Sequence, residues 1–245
     1  MKRFYISENA INDDNAIISG IDAHHIKNVL RLGKDHVIQL ILPNGHSYAA
    51  KINSLSNEII STDIIEPLEI NQPKSLHITV AQSMLKDKKN DTLIRQTTEL
   101  GVDRWISFIS ERSIARPSKD RMKKKINRWQ QIARSAAQQC QRQRITEICE
   151  ELLDISDVFS LIHEKDTIGY FFWEKSTKKL EEKKQVNCKS VILIFGPEGG
   201  FTDKEAETAE NSGYYISSLG PRILRAETAT ISGLSLIQYL YGDLR

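Results

Sequence analysis

The stretch that decides the fold is IFGPEGGF, residues 194–201, which follows an apolar run and precedes a helical pattern. Its three glycines keep side chains away where the backbone must approach a ligand, and Pro197 restricts the turn. The segment LGPRILRAETA, residues 219–229, also joins a predicted strand to a predicted helix. In open α/β sheets, ligands bind beyond the carboxyl ends of strands. We therefore expect the two loops to lie side by side at one sheet edge, although a tight connection without a ligand remains an alternative.

The charged residues of the second loop indicate function. Arg222 and Arg225 precede a predicted helix, where a positive side chain opposes the helix dipole, and Glu227 follows them. A local cost without a structural gain is typical of a functional site. Neither loop matches the P-loop or the GxGxxG pattern, which disfavours these two phosphate-binding folds.

Outward from these loops, strands alternate with helices. The pattern predicts strands over residues 76–81, 105–109, 167–173, 191–195 and 214–219, and helices over residues 90–101, 120–141, 202–212 and 226–241. Gly101 suits a helix C-terminus, and Thr202 with Glu205 forms a capping box. Such alternation predicts an α/β fold with a mainly parallel sheet and helices on both faces.

The first 70 residues have a different pattern. Strands are predicted over residues 37–42, 48–52 and 59–65, with a turn at Asn44-Gly45 and a short helix over residues 22–32 capped by Asp22. This arrangement predicts a small barrel. The proline-containing stretch 66–73 is the predicted linker.

Charge is unevenly distributed on a chain of net charge +2. Residues 111–144 contain eleven Lys or Arg against two acidic residues, and residues 145–166 contain seven acidic residues and one lysine. Such segregation produces a local positive field that suits nucleic acid, although a solvated helix face explains it equally well.

The three cysteines form no CxxC pair, so neither a zinc site nor a disulfide is expected. The absence of a long apolar stretch and of a signal-peptide pattern leads us to expect a cytoplasmic protein without membrane contact.

Both glycine-containing loops resemble signatures of the SPOUT, or α/β-knotted, methyltransferases, and specifically of the 16S ribosomal RNA uracil-N3 methyltransferases. Four further segments agree with that family in order along the chain: HHIKNVLRL at 24–32, QTTELGV at 96–102, ERS at 111–113 and QQCQR at 138–142. The resemblance implies a PUA-like, RNA-binding β-barrel in residues 1–70 and a SPOUT domain with a carboxyl-terminal trefoil knot in residues 73–245. It also implies a homodimer that uses S-adenosylmethionine and acts on 16S rRNA of the small ribosomal subunit, and the cysteine pattern leads us to expect no metal.

The resemblance also assigns roles to individual residues. The knot loops that would hold S-adenosylmethionine comprise Phe172, Glu174, Phe195, Gly196, Pro197, Glu198, Gly199, Gly200, Leu219, Gly220, Pro221, Ile223, Leu224 and Arg225. The candidate RNA contacts are Arg31, Lys86, Lys88, Lys89, Arg112, Arg142 and Arg144. This chain departs from the family in its first knot loop, residues 171–174, and at Ala226, where the family usually has threonine.

The chemistry of the reaction defines the candidate catalytic residues. Uracil N3 carries a proton at neutral pH, so that proton must leave before or during methyl transfer. We hypothesise that Arg225 stabilises the uracil anion, and that Glu227 or Glu198 accepts the proton or orients the base. Other interpretations stay open: a different rRNA position, a ribose 2′-hydroxyl, an RNA-binding assembly factor without catalysis, or an α/β enzyme for another nucleotide.

Overall fold

The computed structural model describes residues 1–56, 58–69, 76–163, 166–181 and 188–244. The chain forms two compact units. One contains the described residues of Met1–Pro73 together with Gln141–Arg144, and the other contains those of Lys74–Cys140 and Ile145–Arg245. The predicted domain boundary itself stays a prediction.

The amino-terminal unit is built around a curled sheet of six strands. Its strands are β1 Lys2–Tyr5, β2 Ile11–Asn12, β3 Asn15–Ser19, β4 Val37–Ile41, β5 Ser47–Leu55 and β6 Ile59–Leu68. Their order is β1-β4-β5-β6-β3-β2, in which β1 and β4 are parallel and the other pairs antiparallel. The predicted hairpin at Asn44-Gly45 is confirmed, since it joins β4 to β5.

Two predictions for this unit are wrong in detail. The short helix begins earlier, as α1 Gly20–His24, and continues into a π-helical turn, His25–Val29. Ser19 is therefore the N-cap residue, and Asp22 lies in the first turn, where a carboxylate favours the helix dipole. The predicted linker also begins too early, because β6 extends to Leu68. Residues 70–73 of that linker lie outside the described residues.

The segment Gln141–Arg144 belongs to the amino-terminal unit although it is distant in sequence. The hydroxyl of Tyr5 donates a hydrogen bond of 2.6 Å to the carbonyl oxygen of Arg142, and the guanidinium of Arg3 donates to that of Gln141. Arg142 and Arg144, predicted RNA contacts, therefore lie in the same unit as Arg31.

The second unit is a six-stranded parallel sheet flanked by helices. Its strands are β7 His77–Ser83, β8 Arg104–Ile109, β9 Glu147–Asp154, β10 Thr167–Phe172, β11 Ser190–Phe195 and β12 Tyr215–Ser217. Its helices are α2 Lys89–Glu99, α3 Lys119–Gln139, α4 Ile155–Phe159, α5 Asp203–Asn211 and α6 Ala226–Tyr241. The strand order is β12-β10-β11-β7-β8-β9. The predicted α/β class with a parallel sheet is confirmed.

Both faces of the parallel sheet are buried. On one face, Trp105 and Trp129 pack with residues of α2, α3 and α6, and on the other Phe171 and Phe201 pack with residues of α4 and α5. Gly233 lets α6 approach the sheet, because a Cβ there would lie 2.8 Å from the ring of Phe195. Helix α6 is thereby held against the end of β11, beside the first glycine-containing loop.

Strand β9 was not predicted. Its residues include Glu147, Glu150, Glu151 and Asp154, and this charge hides the alternation by which a strand is recognised. The strand lies at the edge of the sheet and pairs only with β8 among the described strands. Charged side chains are tolerated on such an edge, where they also discourage pairing with another chain.

Candidate functional site

A single cavity lies where three neighbouring parallel strands end. Strand β10 lies between β11 and β12, so the loops that follow these strands meet at the same edge of the sheet. Together with the start of α6 they enclose a cavity of about 530 Å³. The predicted juxtaposition of the two glycine-containing loops is therefore confirmed, and the loop after β10 contributes Trp173 and Glu174 to the same cavity.

The first glycine-containing loop depends on a backbone conformation that glycine adopts easily. Gly200 has φ +68°, and a Cβ there would lie 2.4 Å from the carboxylate of Glu174. Directly afterwards α5 begins with the predicted capping box: Thr202 Oγ1 accepts from the Glu205 N–H (3.2 Å), and Glu205 Oε2 accepts from the Thr202 N–H (2.8 Å). The capping box ends the loop sharply, and the absence of a side chain at Gly200 leaves room for the carboxylate of Glu174.

The ERS segment anchors the same loop from the other side. The guanidinium of Arg112 donates to the carbonyl oxygens of Gly199 (3.2 Å) and Phe201 (3.3 Å). The backbone N–H of Glu111 donates to the buried carboxylate of Glu205 at 2.8 Å. Arg112 was predicted as an RNA contact, and its visible role is to hold the glycine-containing loop.

Lys89 joins two carboxylates at the wall of the cavity. Its ammonium lies 3.1 Å from Glu198 Oε1 and 3.2 Å from Glu227 Oε1. Glu198 also accepts a hydrogen bond of 3.1 Å from the backbone N–H of Lys86. This ion triad connects the start of α2, the first glycine-containing loop and the first turn of α6.

The pKa values of Glu198 and Lys89 are shifted within the ion triad. Burial by itself raises the pKa of Glu198, but hydrogen bonds from backbone N–H groups and the charge of Lys89 outweigh burial, so the pKa of Glu198 falls below its ordinary value. For Lys89, burial lowers the pKa, whereas hydrogen bonds and attraction to both carboxylates prevail and raise the pKa. Both groups are therefore charged at neutral pH.

Comparison with known proteins identifies the family. A family model described as an RNA methyltransferase domain matches residues 72–238, and one described as an RNA methyltransferase PUA domain matches residues 18–65. The ribosomal RNA small subunit methyltransferase E of Bacillus subtilis is 30% identical over 240 residues, which is 93% of this chain and 91% of that protein. The chain belongs to the ribosomal RNA small subunit methyltransferase E family.

Other members of that family agree. The protein of the same name from Aquifex aeolicus is 32% identical over 210 residues, covering 85% of this chain and 88% of that protein. The crystal structure of a ribosomal RNA small subunit methyltransferase E from Neisseria gonorrhoeae, bound to S-adenosylmethionine, has a TM-score of 0.88. That match has 27% identity and covers 100% of both chains. The resemblance seen in the sequence is thereby confirmed.

The structure brings most predicted site residues of this family member together. All the predicted cofactor contacts except Pro221 line the cavity, and so do both predicted catalytic residues, Arg225 and Glu227. Ala226 also lines it. The roles themselves stay predictions.

The predicted RNA contacts are more widely distributed. Lys89 lines the cavity within the ion triad instead of facing solvent freely, whereas Lys86 and Lys88 are exposed in the preceding loop. Sequence patterns did not indicate that Lys89 pairs with Glu198 and Glu227, which are more than 100 positions away.

Among the described residues, no group of three or more His, Cys, Asp or Glu could hold a metal ion. Within the described ranges, no helix has the length and apolar character needed to span a membrane.

Proposed function

We propose that this chain transfers a methyl group from S-adenosylmethionine to N3 of a uridine in 16S rRNA of the small ribosomal subunit. The observation that carries the proposal is the single cavity formed by the loops after β10, β11 and β12. The related Neisseria gonorrhoeae protein, bound to S-adenosylmethionine, has the same fold over its whole length, which supports the cofactor assignment.

The cavity is suited to S-adenosylmethionine in size and in chemistry. A volume of about 530 Å³ lies within the usual range for small-molecule sites. Phe172, Leu219 and Leu224 offer apolar walls for an adenine ring, and Glu174 offers a carboxylate for hydroxyl or ammonium groups. Backbone groups of residues 196–200 and 219–225 would supply the remaining polar contacts. When bound, S-adenosylmethionine supplies an electrophilic methyl group.

The protein's own residues act on the uracil. Arg225 precedes α6 and lines the cavity with its exposed side chain, so its guanidinium is available to stabilise negative charge on the uracil oxygens. Glu198 is a poor proton acceptor, because its pKa is lowered and a general base works best with a pKa near the working pH. We therefore favour loss of the N3 proton to solvent, with Arg225 stabilising the anion and Glu227 orienting the base.

Helix α3 and the predicted basic contacts would bind the RNA. Lys119, Arg121, Lys123 and Lys124 are exposed along the first turns of α3, and they form no ion pair with any residue that the structure describes. Free cations on a rigid helix suit phosphate groups, which bind largely through charge. In the amino-terminal unit, Arg31, Arg142 and Arg144 remain the proposed contacts.

A homodimer is the proposed assembly, with the active site between subunits. Helix α6 is rich in apolar residues, yet Leu236 and Tyr239, three positions apart, are 44% and 58% exposed. Ile223, at the rim of the cavity, is 85% exposed. Exposed apolar side chains on α6 and at the rim of the cavity are suited to a second copy of the chain. We further propose the PUA-like barrel in residues 1–70, the SPOUT domain with its trefoil knot in residues 73–245, and a cytoplasmic location.

The decisive experiment compares rRNA from cells with and without the gene. Mass spectrometry of nucleosides from 16S rRNA should detect N3-methyluridine in the parent strain and not in the deletion strain, and the purified enzyme should restore it with S-adenosylmethionine. Unchanged N3-methyluridine in the deletion strain would exclude this target. A different missing methylated nucleoside would assign the enzyme to another position.

A further inference from the structure

Gln82 forms a hydrogen-bonded bridge beneath the cavity. Gln82 is the penultimate residue of β7, and its side chain is inaccessible to solvent. The amide nitrogen donates to the carbonyl oxygens of Gly196 (2.9 Å) and Ser83 (3.1 Å). The amide oxygen accepts a hydrogen bond of 2.6 Å from the hydroxyl of Thr230, which is also buried. Both ends of the amide are thus used.

The two distant partners of Gln82 belong to opposite walls of the cavity. Gly196 opens the first glycine-containing loop, just beyond Phe195, which is the last residue of β11 paired with β7. The carbonyl oxygen of Gly196 therefore lies beyond the paired residues of β11 and β7. It accepts its hydrogen bond from the side chain of Gln82. Thr230 lies one turn after Ala226, and the first turn of α6 lines the same cavity.

We propose that Gln82 is a positioning residue that sets the spacing between the loop at residues 196–200 and the first turn of α6. The inference rests on the proposed function, because the spacing matters only if these walls hold S-adenosylmethionine together. The amide of Gln82 donates to Gly196 on one wall and accepts from Thr230 on the other. Reversing the amide would place its oxygen against the carbonyl oxygen of Gly196 and leave buried polar atoms unpaired, so the amide fixes both contacts. Gln82 lines no part of the cavity itself and acts through Gly196 and Thr230.

The test measures affinity for S-adenosylmethionine by calorimetry in the full-length protein. Gln82→Met removes the bridge at similar length, and Thr230→Val removes only the hydroxyl. Thr97→Val is the matched control, because Thr97 is also buried in a helix and bonds within its own helix, to the carbonyl oxygen of Ile94. Urea midpoints of all variants separate changes in affinity from changes in stability.

We expect Gln82→Met to raise the Kd about tenfold and Thr230→Val to raise it about threefold, as for the loss of one or two buried hydrogen bonds. Thr97→Val should bind like the wild type. The double variant should bind no more weakly than Gln82→Met, since both changes break one bridge. Turnover at saturating S-adenosylmethionine should stay near the wild-type rate, because no reacting group is removed.

Two results would overturn the inference. Wild-type protein that fails to bind S-adenosylmethionine would end the proposed function and this inference together. If the wild type binds S-adenosylmethionine and both Gln82→Met and Thr230→Val bind it with the same Kd, the inference is overturned but the proposed function is not. This holds even if the urea midpoints of the variants are lowered. If Gln82→Met fails to fold, Thr230→Val decides: weaker binding than Thr97→Val supports the positioning role, and equal binding overturns it.

Discussion

The ammonium of Lys89 lies 3.1 Å from the carboxylate of Glu198, and this ion pair connects the start of α2 to the first glycine-containing loop. The same ammonium reaches Glu227 at 3.2 Å, so one cation serves two carboxylates of the cavity wall. Each member of the triad is partly shielded from solvent, which strengthens the attraction beyond that of an exposed surface pair.

Replacing Lys89 with Gln should weaken binding of S-adenosylmethionine. Without the ammonium, two like charges face each other, and both the glycine-containing loop and the start of α6 lose their common partner. We expect a loss of about 1 kcal/mol, or roughly fivefold in Kd, measured by calorimetry. Lys86→Gln is the control, since only its backbone N–H bonds to Glu198. Equal affinities of the two variants would contradict the role of the triad.

The lowered pKa of Glu198 predicts a specific dependence of stability on pH. The folded pKa lies below the ordinary value of 4.5, so ionised Glu198 stabilises the fold at pH values above the unfolded pKa. That contribution is lost as the pH falls through the folded pKa. Urea unfolding at pH 7, 5 and 3 should therefore show that Glu198→Gln lowers the free energy of unfolding at the two higher pH values. The difference in unfolding free energy between Glu198→Gln and the wild type should be smaller at pH 3. A difference that is equal at all three pH values would contradict the lowered pKa of Glu198.

Replacing Arg225 with Ala should abolish turnover. If the guanidinium stabilises the uracil anion, kcat should fall by roughly 10²–10³-fold, while the Kd for S-adenosylmethionine stays near that of the wild type. Arg222→Ala is the matched control, because Arg222 belongs to the same loop, lines the same cavity and is also exposed. Methylation assays on small-subunit RNA distinguish the two variants. Normal turnover in Arg225→Ala would remove Arg225 from the mechanism.

Local signals in the sequence predicted the elements that shape the cavity. The capping box of Thr202 and Glu205 marked the start of α5, and the apolar run of β11 needed no tertiary information. The loop after β10 is different, because its place between the other two loops follows from the strand order β12-β10-β11. Strand order is a property of the whole chain, and adjacency in sequence did not indicate it.

The ion triad and the bridge of Gln82 were not predicted for a related reason. Lys89 looked like one of several solvated lysines, and its partners come from segments that only the tertiary fold brings near. Gln82 lies in an apolar strand, where a polar residue alone says nothing about its partners. Strand β9 was missed because pairing with β8, and not its own composition, makes it extended. Sequence patterns therefore located the cavity, and they did not show which distant side chains pair around it.

Neutralising the basic face of α3 should reduce the salt dependence of RNA binding. Each phosphate contact that is lost lowers the slope of log affinity against log salt by about 0.7–0.9. The triple variant Arg121→Gln, Lys123→Gln, Lys124→Gln should thus lower the slope by about 2 units in filter-binding assays, with unchanged affinity for S-adenosylmethionine. The control triple replaces Lys175, Lys178 and Lys189 with Gln, because each of these lysines already pairs with a carboxylate. An equal decrease in both triples would show that α3 is not a specific RNA surface.

An acidic residue on the exposed face of α6 should separate the proposed homodimer. Leu236 is 44% exposed on a helix that is otherwise rich in apolar residues, so a second copy of the chain would remove it from water. Leu236→Asp would place an unpaired charge in that interface, at a cost of several kcal/mol, and should convert the dimer to a monomer in sedimentation measurements. Val37→Asp is the matched control, because Val37 is 45% exposed in the amino-terminal unit. Since the active site is proposed to lie between subunits, methylation should fall together with the dimer fraction. A fully active monomer would contradict a shared site, and a dimer that survives Leu236→Asp would place the interface elsewhere.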